Sequence, residues 1–167
     1  KFIGWDIFCL GRTAGDFPFN SGRLTQKLSL FQDGKPLVLE RQHINMDKSS
    51  GKTLLDANWG YQKKTVSGTL MATGFDYSGS SESDLLVDNV RLALSKYMGY
   101  SCETGDAAIG GQVQPTCFTV TWRREVLLVR YLGDDSEQAK QLFEAAWREI
   151  RPKLMGREAV TPRIWRT

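Results

Sequence analysis

Apolar and polar residues alternate through much of the first half of the chain. In residues 1–10 and 22–32, β-branched and aromatic residues recur at nearly every second position. Successive side chains on a strand point to opposite faces, so this period predicts strands with one buried face. Asp33 and Gly34 favour the positive φ of a hairpin turn before another strand at 36–45. The segment therefore predicts three strands, the last two joined as a hairpin.

The alternation of apolar and polar residues that predicts strands recurs in later segments of the chain. A strand is predicted at 65–73, and a hairpin at 116–122 and 126–132. Glycine and serine mark the intervening segments as loops. These loops are predicted at 49–51, 74–83 and 102–115.

In two segments the apolar residues recur every three or four positions, which is the period of an α-helix. Ser81 and Asp84 resemble a capping box at the start of a helix predicted at about 83–98, ending before Gly99. Its apolar positions are Leu86, Val90, Ala93, Leu94 and Tyr97. Asp135 and Gln138 are a second cap pair, for a helix at 135–151 that is expected to stop at Pro152. Its apolar stripe comprises Ala139, Leu142, Phe143, Ala146, Trp147 and Ile150.

The fold class predicted from these periods is mainly β, a β-rich scaffold with two amphipathic α-helices packed on it. With 41% hydrophobic and 11% aromatic residues, the 167 residues suffice for a single domain. The chain begins without Met, on residues that resemble the middle of a strand. We therefore expect residues 1–167 to be a fragment whose N-terminal strands are missing.

Charge and cysteine content narrow the class of protein. The 22 basic and 19 acidic residues give a net charge of +3, and the basic residues are scattered, so no nucleic acid partner is expected. No apolar run approaches the roughly 20 residues of a membrane span. Cys9, Cys102 and Cys117 lack CxxC spacing, which favours a reducing, cytoplasmic location, with Cys9 as a small buried hydrophobe.

Asp6 and Glu40 are carboxylates inside apolar strands, where an unpaired charge is unfavourable. One interpretation is structural: a salt bridge to Arg12 or Arg41, or a solvent-facing position. Another is that both face a wet interior cavity and hold a passing cation. An enzymatic alternative is a β-rich hydrolase using them as paired carboxylates, which requires a separation of roughly 5 to 9.5 Å.

The remaining candidates give weaker indications. His43 is the one histidine and has no metal-ligand spacing around it, so it is expected at the surface or the core edge. Trp59 with Tyr61 could form the exposed aromatic platform of a ligand-binding module. The tail residues Arg163, Ile164 and Trp165 are typical interface anchors, although the tail could equally dock on its own sheet.

A set of motifs in order resembles the urease accessory protein UreD family, called UreH in some bacteria. The first is Gly4-Trp5-Asp6-Ile7-Phe8-Cys9-Leu10-Gly11-Arg12 followed by Gly15-Asp16, similar to the family's WD-x-x-CLGR-x-x-x-GE/D segment. The others are Pro36-Leu37-Val38-Leu39-Glu40-Arg41, Gly68-Thr69-Leu70, Val129-Arg130-Tyr131-Leu132-Gly133-Asp134-Asp135, Trp147 with Arg151-Pro152, and Pro162-Arg163-Ile164-Trp165. The resemblance covers this whole chain but only the family's C-terminal part.

This resemblance implies a non-catalytic maturation factor for urease. Family members bind apo-urease and the partner UreF, which recruits the GTPase UreG, and no cofactor is held firmly. Nickel in transit is thought to pass through a water-filled tunnel, and the family's important acidic positions match Asp6 and Glu40. The resemblance therefore favours the cation-passage interpretation of these two residues over the structural one.

Overall fold

The structure is a computed structural model that describes residues 1–12, 15–77, 79–99 and 117–166. Within these ranges the elements follow in chain order. They are β1 (Phe2–Cys9), β2 (Gly11–Arg12), β3 (Phe17–Pro18), β4 (Arg23–Gln32), β5 (Lys35–Asn45), α1 (Ser49–Asp56), β6 (Val66–Thr73), α2 (Ser80–Met98), β7 (Cys117–Arg123), β8 (Val126–Gly133) and α3 (Ser136–Met155). A 3-10 turn, Arg163–Arg166, follows α3.

A four-stranded antiparallel sheet, in the order β1-β6-β8-β7, forms the centre of the fold. Helices α2 and α3 cover one face of it, where every second strand residue joins the main core. The α3 ring of Phe143 packs directly on Gly68 of β6, since a Cβ at Gly68 would lie 2.6 Å from the ring. The glycine thus lets helix and sheet approach closely.

The β4–β5 hairpin lies over the other face of the sheet. Its apolar contacts with the sheet form two separate clusters. The first apolar cluster contains the buried residues Val38, Met71, Val126 and Leu128. The second apolar cluster contains the buried residues Leu10, Ile44, Met46 and Tyr61. The hairpin is therefore held at two places, with a gap between them.

The β-rich character and antiparallel strands agree with the sequence prediction, although among the described residues strand at 39% only slightly exceeds helix at 35%. The predicted strands and the Asp33–Gly34 turn lie close to the observed elements. The predicted loop at 102–115 lies outside the described residues.

The prediction of two helices was wrong by one short helix, α1. A loop was expected at 49–51, where α1 begins. Its residues Leu54 and Leu55 pack against the second apolar cluster, and Gly51 lies against the backbone of Asn45. A Cβ at Gly51 would be 2.1 Å from the Asn45 carbonyl oxygen, so the helix depends on a contact with β5.

The ends of the two long helices also differ from the prediction. Helix α2 begins at Ser80 after Gly79, which makes no side-chain cap, so the proposed Ser81–Asp84 cap lies inside the helix. Asp135 caps α3 as predicted, accepting hydrogen bonds from the backbone N–H groups of Glu137 and Gln138 at 2.8 and 3.2 Å.

Pro152 does not end α3, contrary to expectation. The helix continues to Met155 and ends at Gly156, which has a φ of +64°. Leu154 in this last turn is fully buried in the core. The burial of Leu154 favours one more helical turn, although Pro152 removes one helical hydrogen bond and its ring crowds the preceding turn.

Candidate functional site

A row of polar residues crosses the central sheet on the face toward the hairpin. Asp6 lies opposite Thr69, Thr69 opposite Arg130, and Arg130 opposite Thr119. Neighbours two residues away on the same strands, Met71 and Leu128, contact the hairpin, which assigns the row to that face. All four strands thus contribute one polar residue at the same level.

The hairpin presents matching polar residues. In β4 and β5 the less exposed positions alternate, and they include Gln26, Glu40 and Gln42. Glu40 is paired in register with Leu28, and Gln42 with Gln26. We call these three residues, with the row Asp6, Thr69, Arg130 and Thr119, the polar layer.

Three hydrogen-bonded contacts involve the polar layer. An Arg130 Nη2 donates to Glu40 Oε1 in an ion pair between β8 and β5. Gln26 Nε2 donates to Asp6 Oδ2 at 3.0 Å, joining β4 to β1. The Tyr61 hydroxyl donates to Gln42 Oε1 at 2.6 Å.

A cavity of about 770 Å³ lies between the sheet and the hairpin. Its polar lining includes Gln26, Glu40, Gln42, Ser67, Thr69 and Arg130. The side chains of Glu40 and Arg130 are 39% and 45% exposed, so water reaches their ion pair. The cavity is therefore a wet space between the two apolar clusters.

Tyr61 lines the cavity from the connection between α1 and β6. Burial raises the pKa of its hydroxyl above the ordinary 10.0, an effect opposed by hydrogen bonds with Ser67 and Gln42. The hydroxyl consequently stays protonated at neutral pH and serves as a donor.

Comparison with known proteins identifies a family for this chain. The model of the UreD urease accessory protein family matches residues 1–166 of the chain. The chain belongs to the UreD family.

Relatives named urease accessory protein UreD match along the chain's whole length. The protein from Pseudoalteromonas translucida (strain TAC 125) is 38% identical over 168 residues, which cover 100% of this chain and 46% of that protein. Those from Marinomonas sp. (strain MWYL1) and Marinobacter nauticus (strain ATCC 700491 / DSM 11845 / VT8) are each 36% identical. They also match 100% of this chain, over 48% and 47% of their own lengths. The chain thus spans about half the length of these UreD relatives.

Membership of the UreD family confirms the resemblance seen in the sequence motifs. The relatives are named as accessory proteins and not as hydrolases. None of the helices in the described ranges is long and apolar enough to cross a membrane.

The structure gives Asp6 and Glu40 partners other than those expected. Neither Arg12 nor Arg41 forms the proposed salt bridge: Glu40 pairs with Arg130, and Asp6 accepts from Gln26. The guanidinium of Arg12 instead lies 5.4 Å from the centre of the Phe17 ring. Glu40 lines the cavity, while Asp6 is one hydrogen bond away from a lining residue. Their role in cation passage stays a prediction.

The tail contacts its own chain through Trp165. The indole ring lies 4.7 Å from that of Trp5 and 5.1 Å from that of Trp147, centre to centre, in edge-to-face arrangements. This is the intramolecular docking that the sequence left open. Arg163 is exposed, and the side chain of Ile164 lies outside what the structure describes. A partner-binding role for these three residues stays a prediction.

Other candidates have mixed outcomes. Cys9 is exposed and not buried as expected, because Phe8 and Leu10 on either side of it pack into the second apolar cluster. His43 is on the surface as predicted, with its Nδ1 2.8 Å from the Thr25 hydroxyl. Cys102 lies outside the described residues.

The prediction of an aromatic platform formed by Trp59 and Tyr61 is wrong. Trp59 is 75% exposed, but Tyr61 is only 4% exposed and cannot present its ring to a ligand beside it. Among the residues that the structure describes, no group of three His, Cys, Asp or Glu side chains could hold a metal ion.

Arg130 was not among the site residues predicted from the sequence. It is the one charged residue in the apolar run Val126–Leu132, the same feature that singled out Asp6 and Glu40. There was less reason in the sequence to select Gln26 and Gln42 as site residues, since uncharged amides are common at solvent-facing strand positions. Only the packing of the hairpin shows that they face the sheet.

Proposed function

We propose that this chain is part of a urease maturation scaffold that binds apo-urease and UreF, and UreG through UreF, and assists nickel insertion. The match to the UreD family over residues 1–166 carries the proposal. The relatives that support it are named urease accessory proteins. In this role the protein catalyses no reaction of its own and holds no cofactor firmly.

The polar layer is proposed to form part of the path for nickel. Asp6 and Glu40 both belong to it, and the cavity between sheet and hairpin is reached by water. Ni²⁺ is held more firmly by imidazole and thiolate ligands than by carboxylates. A sparse oxygen lining would therefore attract the ion without trapping it.

The tail segment Arg163, Ile164 and Trp165 is proposed as a contact for a protein partner. Arg163 is exposed, and Trp165 is only partly covered by its contacts with Trp5 and Trp147. Tryptophan and arginine are enriched at interface hot spots. Urease subunits and UreF are the partners to test first.

The nickel path is tested by removing the two negative charges while keeping side-chain shape. Asp6→Asn and Glu40→Gln are combined in the intact protein, expressed with the urease subunits and the other accessory proteins under limiting nickel. Co-purification with urease subunits and UreF should persist, while urease activity and the nickel content of urease fall several-fold. The amides retain hydrogen-bonding capacity but lack the charge that attracts the cation.

A matched control removes two carboxylates outside the polar layer. Asp33→Asn lies in the hairpin turn, where asparagine tolerates the positive φ of 50°, and Glu149→Gln lies on the exposed side of α3. This control should activate urease at the parental level. Parental activation and nickel content in the Asp6→Asn, Glu40→Gln variant would refute the nickel path.

A further inference from the structure

The ion pair between Arg130 and Glu40 places a positive charge on the wall of a cavity proposed to pass a cation. We propose that Arg130 is a tethered counter-cation, which occupies the Glu40 carboxylate when no metal is present and is displaced by the arriving divalent ion. This inference rests on the proposed function and adds a residue that controls how firmly the cargo is retained.

The position of Arg130 suits this role. It lies on β8, an inner strand of the sheet, between Thr69 of β6 and Thr119 of β7. From there its guanidinium reaches across to Glu40 on β5, and both residues line the cavity. An ion that moves through this space would encounter the pair.

The pair is suited to exchange partners. The two side chains are 45% and 39% exposed, and ion pairs with such access to water contribute little to stability. The hairpin is also held by apolar contacts on both sides of the cavity, through Val38 in one cluster and Ile44 in the other. The guanidinium can therefore leave Glu40 without releasing the hairpin from the sheet.

Competition for one carboxylate has a direct consequence for a cation in transit. The guanidinium and a divalent ion cannot both sit close to Glu40 without strong repulsion. Return of Arg130 to Glu40 therefore favours departure of the ion. A monovalent ion has no more charge than the guanidinium it must displace, whereas a divalent ion has twice as much.

The test measures Ni²⁺ binding to the purified intact protein by equilibrium dialysis with nickel sulfate. Arg130→Gln should bind Ni²⁺ more tightly, on the order of tenfold, since one competing unit charge is lost. Glu40→Gln should bind it more weakly. Arg130→Lys, which keeps the charge, should lie close to the parent. Urease activation under limiting nickel should fall in Arg130→Gln, because the ion is released more slowly.

The opposite directions of the two effects separate this role from a structural one. If Arg130 only holds the hairpin, Arg130→Gln and Glu40→Gln should both weaken Ni²⁺ binding and lower the melting temperature together, which would overturn the inference. Unchanged or weaker binding in Arg130→Gln, while Glu40→Gln still lowers urease activation, would also overturn it and leave the proposed function standing. Parental Ni²⁺ binding and activation in both variants would reject the inference and the nickel path together.

Discussion

Tyr61 shows how a single residue joins the apolar and polar parts of the interior. Its ring is buried in the second apolar cluster, with 4% of the residue exposed, while its hydroxyl donates to Gln42 of the polar layer at 2.6 Å. Tyrosine combines a large apolar surface with one polar atom, which suits this boundary. The hydrogen bond fixes the amide of Gln42 at the cavity wall.

Tyr61→Phe removes this hydroxyl and should lower the free energy of unfolding by about 1 kcal/mol at neutral pH, the typical net contribution of a hydrogen bond. Urea denaturation of variant and parent measures the difference. Tyr97→Phe, which removes the hydroxyl of an exposed tyrosine on α2, is the matched control and should change stability less. A Tyr61→Phe midpoint equal to the parent's would contradict the assigned bond.

The difference in the free energy of unfolding between the parent and Tyr61→Phe should also depend on pH. Burial raises the pKa of Tyr61 in the folded protein above the ordinary 10.0. The stability that the neutral hydroxyl confers is thus fully present below the unfolded pKa and is lost as the pH rises through the folded pKa. Above about pH 10 the difference in the free energy of unfolding between the parent and Tyr61→Phe should become smaller, because phenylalanine has no proton to lose.

Helix α3 is the element in which sequence period and packing agree most closely. Each residue of its predicted stripe is buried, and Trp147 is 4% exposed. The helix contacts β1, β6 and β8, so one face spans most of the sheet. Its stripe joins the central sheet to α2 in a single core.

Trp147→Ala should lower the free energy of unfolding by about 3 to 5 kcal/mol, the usual loss for a large aromatic residue removed from a core. Glu149→Ala, on the exposed side of the same helix, is the control and should change stability little. Urea denaturation monitored by circular dichroism compares the three proteins. Coincident transitions for Trp147→Ala and the parent would show that the stripe is not core.

At the scale of the whole molecule, the ends of the described chain meet. Trp165 of the 3-10 turn contacts Trp5 of the first strand and Trp147 of the last helix. Arg151 of α3 donates to the Glu158 carbonyl at 3.1 Å, which also ties the segment before the turn to the helix. The C-terminal segment is thus part of the packed body.

Trp165→Ala should lower the free energy of unfolding by about 1 to 3 kcal/mol, since two aromatic contacts are each worth about 0.5 to 1.5 kcal/mol. Trypsin cleavage after the exposed residues Arg157 and Arg163 should become faster as the segment detaches. Arg163→Gln is the companion variant, which removes charge but leaves the rings in place. Unchanged stability and cleavage with lost partner binding would assign Trp165 to an intermolecular contact instead.

The sequence by itself determined the periodic elements and the family. Strand alternation, the Asp33–Gly34 turn, the stripe of α3 and its Asp135 cap depend on residues two to four positions apart. Interactions at this range are repeated along the chain and can be recognised without coordinates. The charged residues Asp6 and Glu40 stand out for the same reason, because each interrupts an apolar strand.

Only the tertiary structure decided what those residues meet. Glu40 and Arg130 are 90 positions apart, and their contact depends on which face of the sheet the hairpin covers and in which register. The helix α1 and the last turn of α3 likewise form where Gly51 and Leu154 pack against other elements. Burial there outweighs the local preference for a loop at Ser49–Gly51 and for a helix end at Pro152, because local preferences are small beside the free energy of packing.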